Sequence, residues 1–264
     1  MSGSTVLALA RRDFALTRSY RLSIISDVAW GVLNLLVYFF ISKLVTTGVE
    51  DLGSAPSYFS FTVAGIVMSL VIYATSTGVA YRVRDEQLTG TLEILCAQPL
   101  RAVDLALGVI SFPLGFSVIR AAAYLAIAAL ALDLDAPDAD WAGVIVMLVT
   151  AGMAFAPIGI LAAAAAIVFK RAMSIAGAII FAMTFVSGAL FPVSVLPEWL
   201  QSIGQLMPTW FAFEGLRNAL FDGGGWTGDA LALVVFGVVA LPCAVWLLAA
   251  AISQAKRQGT LGQY

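Results

Sequence analysis

The sequence predicts an all-α integral membrane protein with six transmembrane helices. Of its 264 residues, 61% are hydrophobic and only 11% are charged, whereas soluble domains carry about 25% charged residues. Several apolar stretches reach the ~20 residues that an α-helix needs to cross a bilayer. We expect these segments to be helical because lipid provides no partners for the polar groups of an open backbone.

Two regions divide the chain. Residues 1–21 place arginines among apolar side chains, which predicts an amphipathic interfacial helix on the inner leaflet. Residues 22–264 form the predicted transmembrane domain, and the small residues at 162–166 and Gly177 are expected to allow close helix packing there. The six predicted spans are residues 22–45, 57–80, 105–132, 141–169, 172–190 and 229–252.

The basic residues predict the orientation. Six spans put both termini on one side, and that side collects eleven of the fourteen Lys and Arg residues. Cytosolic loops carry such an excess, so we expect a multi-pass protein of the cell membrane with both termini in the cytosol. Lys43 and Arg217 fall on the other side. The net charge of −2 gives no support for nucleic-acid binding. The eleven residues are Arg11, Arg12, Arg18, Arg21, Arg82, Arg84, Arg101, Lys170, Arg171, Lys256 and Arg257.

The long polar stretch 81–104 lies between spans two and three. Its charged residues alternate with leucines at roughly helical spacing, which predicts an amphipathic cytosolic helix between Arg84 and Pro99. Glu86 and Glu93 are seven residues apart and would share one face of such a helix. Gly90 suits a bend or a close backbone approach. The alternative is a solvated connector with a helical turn or two.

Residues 188–228 are too broken by proline for a span and too apolar for a free loop. Pro192, Pro197 and Pro208 interrupt the segment. We expect two short re-entrant helices in the outer leaflet before span six, because irregular backbone is tolerated at depth when protein buries it. The alternative is a surface lid with no part in transport.

Two charges are predicted within the bilayer, Asp27 in span one and Arg120 in span three. Each costs about 2.5–3.5 kcal/mol at the centre of a membrane and should therefore have a partner or water. The two can pair with each other, but Asp27 can equally reach head groups or another arginine, and Arg120 can either line a pathway or form a structural pair. Candidate pathway residues are Asp27, Asn34, Arg120, Tyr124 and Phe185, although aromatic residues in spans often serve only packing.

Two motifs carry a family resemblance. The pattern Glu86…Gly-Thr-Leu-Glu…Pro99, and the pattern Phe-Pro…Leu-Pro-Glu-Trp-Leu…Pro over residues 191–208, resemble the signature regions of type-2 ABC transporter permeases. The resemblance implies a homodimer that works with cytosolic ATPase subunits and exports a lipophilic or amphipathic substrate. Arg120 is not part of the family pattern. The ATPase-coupling residues that the resemblance implies are Arg84, Glu86, Gly90, Thr91, Glu93 and Pro99.

The chain contains no G-x-x-x-x-G-K-[ST] phosphate loop, so we expect ATP and Mg²⁺ to bind the partner ATPase. Histidine is absent and the two cysteines lie far apart in sequence, which predicts no catalytic residue, no metal site and no enzyme activity. The main alternative is a secondary transporter driven by an ion gradient, for which Asp27 is the one buried acid. A membrane-embedded transferase is a third possibility.

Overall fold

The chain folds almost entirely into helices in its described part. The structure, a computed structural model, describes residues 3–19, 21–45, 52–90, 102–168 and 172–258, and no strand occurs among them. The helices and one 3₁₀ turn are α1 (Gly3–Ser19), α2 (Arg21–Ser42), α3 (Tyr58–Thr75), α4 (Thr77–Leu88), α5 (Ala102–Ala131), α6 (Trp141–Val168), α7 (Ala172–Val186), the turn Val193–Val195, α8 (Glu198–Leu206), α9 (Pro208–Phe221) and α10 (Trp226–Gln258).

Five helical segments of the described residues are long and apolar enough to cross a membrane: Ile24–Ser42, Tyr58–Glu86, Ala106–Ala131, Trp141–Ala166 and Trp226–Gln254. The predicted fifth span contains α7, which has 15 residues. At 1.5 Å per residue α7 is about 22 Å long, short of the ~30 Å hydrocarbon core. The structure therefore supports a multi-pass helical protein, and the six-span layout stays a prediction.

The main hydrophobic core lies among α3, α5, α6, α9 and α10, with Val67, Phe155 and Leu216 fully buried in it. The alanines predicted to pack closely do so, since Ala162 and Ala163 join Ala80 of α4 in a second cluster. Gly177 differs, because nothing in the described structure lies within 4 Å of the Cβ that an alanine would add there.

The joint between α3 and α4 bends one long apolar segment. The hydroxyls of Thr75 and Ser76 donate to carbonyls one turn back, and such bonds often bend helices. A Cβ on Gly159 of α6 would lie 2.3 Å from the Ser76 carbonyl oxygen. The bend therefore fits closely against α6 at a position that only glycine allows.

The proline-rich segment 188–228 contains the 3₁₀ turn, α8 and α9. Their depth in the membrane stays a prediction. Arg217 of α9 is only 3% exposed, and its Nη2 donates to the carbonyls of Gly188 (2.7 Å) and Ala189 (3.3 Å). Its guanidinium lies 3.5 Å from the centre of the Phe61 ring and 3.7 Å from the Glu214 carboxylate. Arg217 therefore fastens α9 both to the chain that follows α7 and to α3.

Asp140 connects the start of α6 to the start of α10. Its Oδ1 accepts the amide hydrogens of Gly143 (3.0 Å) and Ala142 (3.1 Å), as in a helix N-cap. The Trp226 indole donates to its Oδ2 at 2.9 Å. These bonds, with the Gly143 amide and the Trp226 indole first, favour the ionised carboxylate and lower the pKa of Asp140 below its usual 3.8.

Candidate functional site

A cavity of about 720 Å³ lies between α2, α3, α4, α5 and α7. Its wall combines aromatic side chains, such as Trp30 and Phe181, with the hydroxyl groups of Ser69, Thr77 and Thr184. The volume is within the range of about 300–1,000 Å³ that small-molecule sites occupy. The mixture of rings and hydroxyls suits a molecule with both apolar and polar parts.

The five predicted pathway residues all border this cavity. Asp27 and Asn34 come from α2, Arg120 and Tyr124 from α5, and Phe185 from α7. The sequence did not show that three separate helices bring them together. Their contact with a substrate stays a prediction.

Asp27 and Arg120 form a loose ion pair at the cavity wall. Arg120 Nη1 lies 3.5 Å from Asp27 Oδ2, and the side chains are 21% and 57% exposed, respectively. Arg120 Nε is buried and makes no hydrogen bond with any residue that the structure describes. Of the alternatives left open by the sequence, the structure shows the two charges paired with each other.

Tyr124 connects α5 to α2 at the same place. Its hydroxyl donates to the Asp27 carbonyl at 3.1 Å, and its side chain is fully buried. A Cβ on Gly31 would lie 1.8 Å from the Tyr124 hydroxyl oxygen. Gly31 therefore provides the space through which the tyrosine reaches the α2 backbone.

Sequence reasoning missed other wall residues, among them Trp30, Tyr81 and Phe181. Asp27, Asn34 and Tyr38 recur at intervals of seven and four residues along α2, and Tyr73 and Tyr81 are eight residues apart across the bend of α3 and α4. Intervals of four and seven place residues on one helix face. This polar stripe through apolar segments was the available signal.

The predicted coupling residues fall on both sides of a helix end. Arg84 and Glu86 lie in α4, which ends at Leu88, and Gly90 has a left-handed φ of +74°. A single helix from Arg84 to Pro99 is therefore wrong, because the left-handed glycine terminates α4 as glycine commonly does. Among the described residues nothing lies within 4 Å of a Cβ added at Gly90, and a close backbone approach there stays a prediction. Thr91, Glu93 and Pro99 lie outside the described residues.

An ion-pair network connects α4 to α1. Arg12 lies 2.6 Å from Glu86 and 2.9 Å from Asp13, while Arg82 binds the other oxygen of the buried Asp13. Arg12 was predicted near lipid head groups, and Glu86 was predicted to face a partner protein. The sequence did not predict the contact between Arg12 and Glu86, because the two residues are far apart in the chain. That Arg12 lies near head groups and that Glu86 faces a partner protein stay predictions.

The described residues contain no group of three or more His, Cys, Asp or Glu side chains that could hold a metal ion. The charged groups of the site instead meet as Arg–carboxylate pairs. An arrangement of this kind can bind and release charged or amphipathic molecules.

Comparison with known proteins gives a consistent assignment. Residues 5–221 match the model of the ABC-2 type transporter family, which is more than half of the chain. The chain is also similar to Nodulation protein J of Sinorhizobium fredii (strain NBRC 101917 / NGR234), with 29% identity over 194 residues that cover 72% of this chain and 73% of that protein. The family expected from the two sequence motifs is thereby confirmed. The chain belongs to the ABC-2 type transporter family and is a multi-pass membrane permease, a transport component rather than an enzyme.

Proposed function

We propose that this chain is the permease subunit of an ABC exporter and that the cavity bordered by Asp27 and Arg120 is part of its translocation path. The observation that carries the proposal is the composition of the cavity wall, in which aromatic rings and hydroxyls surround one charge pair. The substrate is accordingly lipophilic or amphipathic. ATP hydrolysis takes place on a separate cytosolic subunit of the kind that the family implies.

A homodimer accounts for the open side of the cavity. Trp30 of α2 and Phe181 and Phe185 of α7 border the cavity and are also exposed. In the proposed assembly a second copy covers these two helices, so that both chains enclose the route. Native mass spectrometry of the detergent-purified complex should give two permease copies and two ATPase copies, whereas a single permease copy would contradict this arrangement.

The proposed topology has six spans, with α7 in the fifth, α8 and α9 re-entrant on the outer side, and both termini in the cytosol. Cysteines placed singly at Asp138 and Lys170, in a chain lacking Cys96 and Cys243, distinguish the two faces. An impermeant thiol reagent added to whole cells should label position 138 and spare position 170. The reverse pattern would overturn the orientation.

ATP-driven transport is the direct test. The full chain and its ATP-binding subunit, reconstituted together in proteoliposomes, should move fluorescent lipid-like probes only when ATP and Mg²⁺ are supplied. Ionophores that dissipate proton and sodium gradients should leave the rate unchanged. Transport driven by an ion gradient without ATP would contradict the proposal and favour a secondary transporter.

The segment from Arg84 to Pro99 is the proposed coupling site for the ATPase. Glu86→Lys with Glu93→Lys should insert normally and lose ATPase binding, because like charges across an interface can cost several kcal/mol. Adding Arg12→Glu restores an opposite-charge pair at position 86 and should not restore ATPase binding. Recovery by Arg12→Glu would instead assign the defect to the contact between α1 and α4. Asp135→Lys with Asp138→Lys is the matched control, since both carboxylates lie in an exposed loop.

A further inference from the structure

Arg120 has hydrogen-bonding capacity that the described protein does not use. Its one ion pair, to Asp27, is 3.5 Å long, while charge-assisted N–H···O bonds are usually about 2.7–2.9 Å. Its Nε is buried without a partner among the described residues. A guanidinium offers five N–H donors in a planar fork, and the Arg120 side chain is 21% exposed at the cavity. Its outer nitrogens can therefore donate hydrogen bonds to another oxyanion.

Asp27 is the group that such an oxyanion would replace. Its side chain is 57% exposed, so the described protein does not enclose the carboxylate and does not prevent it from leaving Arg120. A phosphate or carboxylate group could bind the guanidinium through two parallel hydrogen bonds, which the single long contact of Asp27 does not provide. Because one anion replaces the other, the positive charge of Arg120 is neutralised before and after the exchange.

The remainder of the cavity determines what the oxyanion is attached to. Apolar and aromatic groups, including Trp30 and Phe181, line the same space of about 720 Å³, which is far larger than a free phosphate requires. Both residues are also exposed to the surroundings of the helices. An aliphatic chain can therefore extend from the oxyanion along these rings.

We propose that Arg120 anchors the oxyanion headgroup of an amphipathic ligand and that Asp27 is the resident competitor for that position. This inference rests on the proposed role of the cavity as the substrate path and names the substrate class, an amphipathic anion. It also gives the two charges opposite effects on affinity. Loss of Arg120 weakens anion binding, whereas loss of the Asp27 charge strengthens it.

The test uses the full chain in nanodiscs of phosphatidylcholine and radiolabelled dodecyl phosphate as the probe. Arg120→Gln should weaken binding about tenfold or more, as expected for removal of a charged hydrogen-bond donor. Arg120→Lys, which keeps the charge and loses the fork, should fall between Arg120→Gln and the unaltered chain. Asp27→Asn should bind several-fold more tightly, and Lys43→Gln, which alters a cation away from the cavity, should bind as the unaltered chain does.

Two other probes identify the ligand class. Dodecyl maltoside has the same chain without the charge and should not distinguish Arg120→Gln from Asp27→Asn. Inorganic phosphate has the charge without the chain and should bind far more weakly than dodecyl phosphate. Equal affinity for the two phosphates would overturn the amphipathic assignment in favour of a free anion.

The proposal that Arg120 anchors the headgroup would be overturned by either of two results. Arg120→Gln and Asp27→Asn could bind dodecyl phosphate equally, or their affinities could change in the same direction. Thermal unfolding of each variant identifies any loss of folded protein. If Arg120→Gln does not fold, the affinities of Asp27→Asn and Arg120→Lys still show whether each charge strengthens or weakens dodecyl phosphate binding. Failure of the proposed function has a different signature. Binding would follow the charges as stated, while proteoliposomes with the ATPase would show no ATP-driven transport.

Discussion

Arg217 and Arg120 are both arginines in apolar surroundings, and their contacts differ. Arg217 is 3% exposed and touches two backbone carbonyls, the Glu214 carboxylate and the face of Phe61. Arg120 is 21% exposed and has one long ion pair at the edge of a large cavity. Each keeps a buried Nε without a hydrogen bond in the described structure, so the difference lies in the outer nitrogens of the guanidinium.

The difference indicates two uses of a costly charge. A charge within a membrane protein needs a partner, and a partner made of backbone carbonyls cannot be withdrawn without unfolding the local chain. A partner such as Asp27, which is itself half in contact with the surroundings, can be withdrawn at small cost. We therefore expect Arg217 to matter for stability and Arg120 to matter for what the cavity binds.

The largest expected effect separates the two arginines directly. Arg217→Met should lower the free energy of unfolding by about 3 kcal/mol or more, because breaking a buried ion pair leaves the remaining carboxylate without its counter-charge. Arg120→Leu should cost less stability than Arg217→Met, because Arg120 is 21% exposed and has one long ion pair, and it should reduce transport in the assembled complex. Unfolding in detergent, followed by tryptophan fluorescence, measures the first quantity. Equal losses of stability would remove the distinction.

A smaller effect on stability is expected from two glycines, Gly65 near Arg217 and Gly31 near Arg120. A Cβ on Gly65 of α3 would lie 1.7 Å from the Ala189 carbonyl oxygen, next to the contact with Arg217, whereas a Cβ on Gly31 would meet the end of the Tyr124 side chain. A backbone carbonyl moves less easily than a side chain, so Gly65→Ala should lose more stability than Gly31→Ala. Gly31→Ala should instead alter ligand affinity, because it displaces Tyr124 from the cavity wall.

Gly115→Ala is the control for this pair, since nothing in the described structure lies within 4 Å of the added Cβ. It should leave the melting temperature unchanged or raise it, because alanine is favoured over glycine within a helix by about 1 kcal/mol. A Gly65→Ala variant as stable as Gly115→Ala would show that the chain at residues 188–189 is free to move.

The smallest effect concerns Asp140 and its dependence on pH. Its hydrogen bonds lower its pKa below the usual 3.8, so the carboxylate stabilises the folded chain above that value and the contribution is lost as pH falls further. Asp140→Asn should therefore lower the melting temperature slightly at neutral pH, with the difference shrinking in acid below about pH 4. A constant difference across that range would assign the effect to the altered helix cap alone.

The sequence was sufficient for the elements whose signal is local. Apolar length predicted the long helices, and two of the residues predicted to line the pathway, Asn34 and Tyr124, border the cavity. The contacts that define the charged groups were not predictable in this way. Arg217 binds carbonyls 28 and 29 residues away, and any residue type offers a carbonyl, so no pattern marks the partner.

Glycine shows the same limit within single helices. Gly177 was expected at a close helix contact, yet no described residue lies within 4 Å of an added Cβ there, while Gly31 and Gly65 have the close contacts. What decides each case is the group on the facing helix, which one sequence does not place. Gly90 was expected to bend a helix, and its left-handed conformation ends the helix instead.

The contact between Tyr124 and α2 has a consequence for how the protein is made. The Tyr124 hydroxyl and the Asp27 carbonyl are 97 residues apart in the chain. At about 5–20 residues per second of synthesis, α2 leaves the ribosome roughly 5–20 s before its tyrosine partner exists. During this interval Arg120, the partner of the Asp27 carboxylate, is also absent. A nascent chain arrested before residue 120 should therefore crosslink α2 to lipid or to insertion machinery, and a chain arrested well after residue 124 should crosslink it to α5.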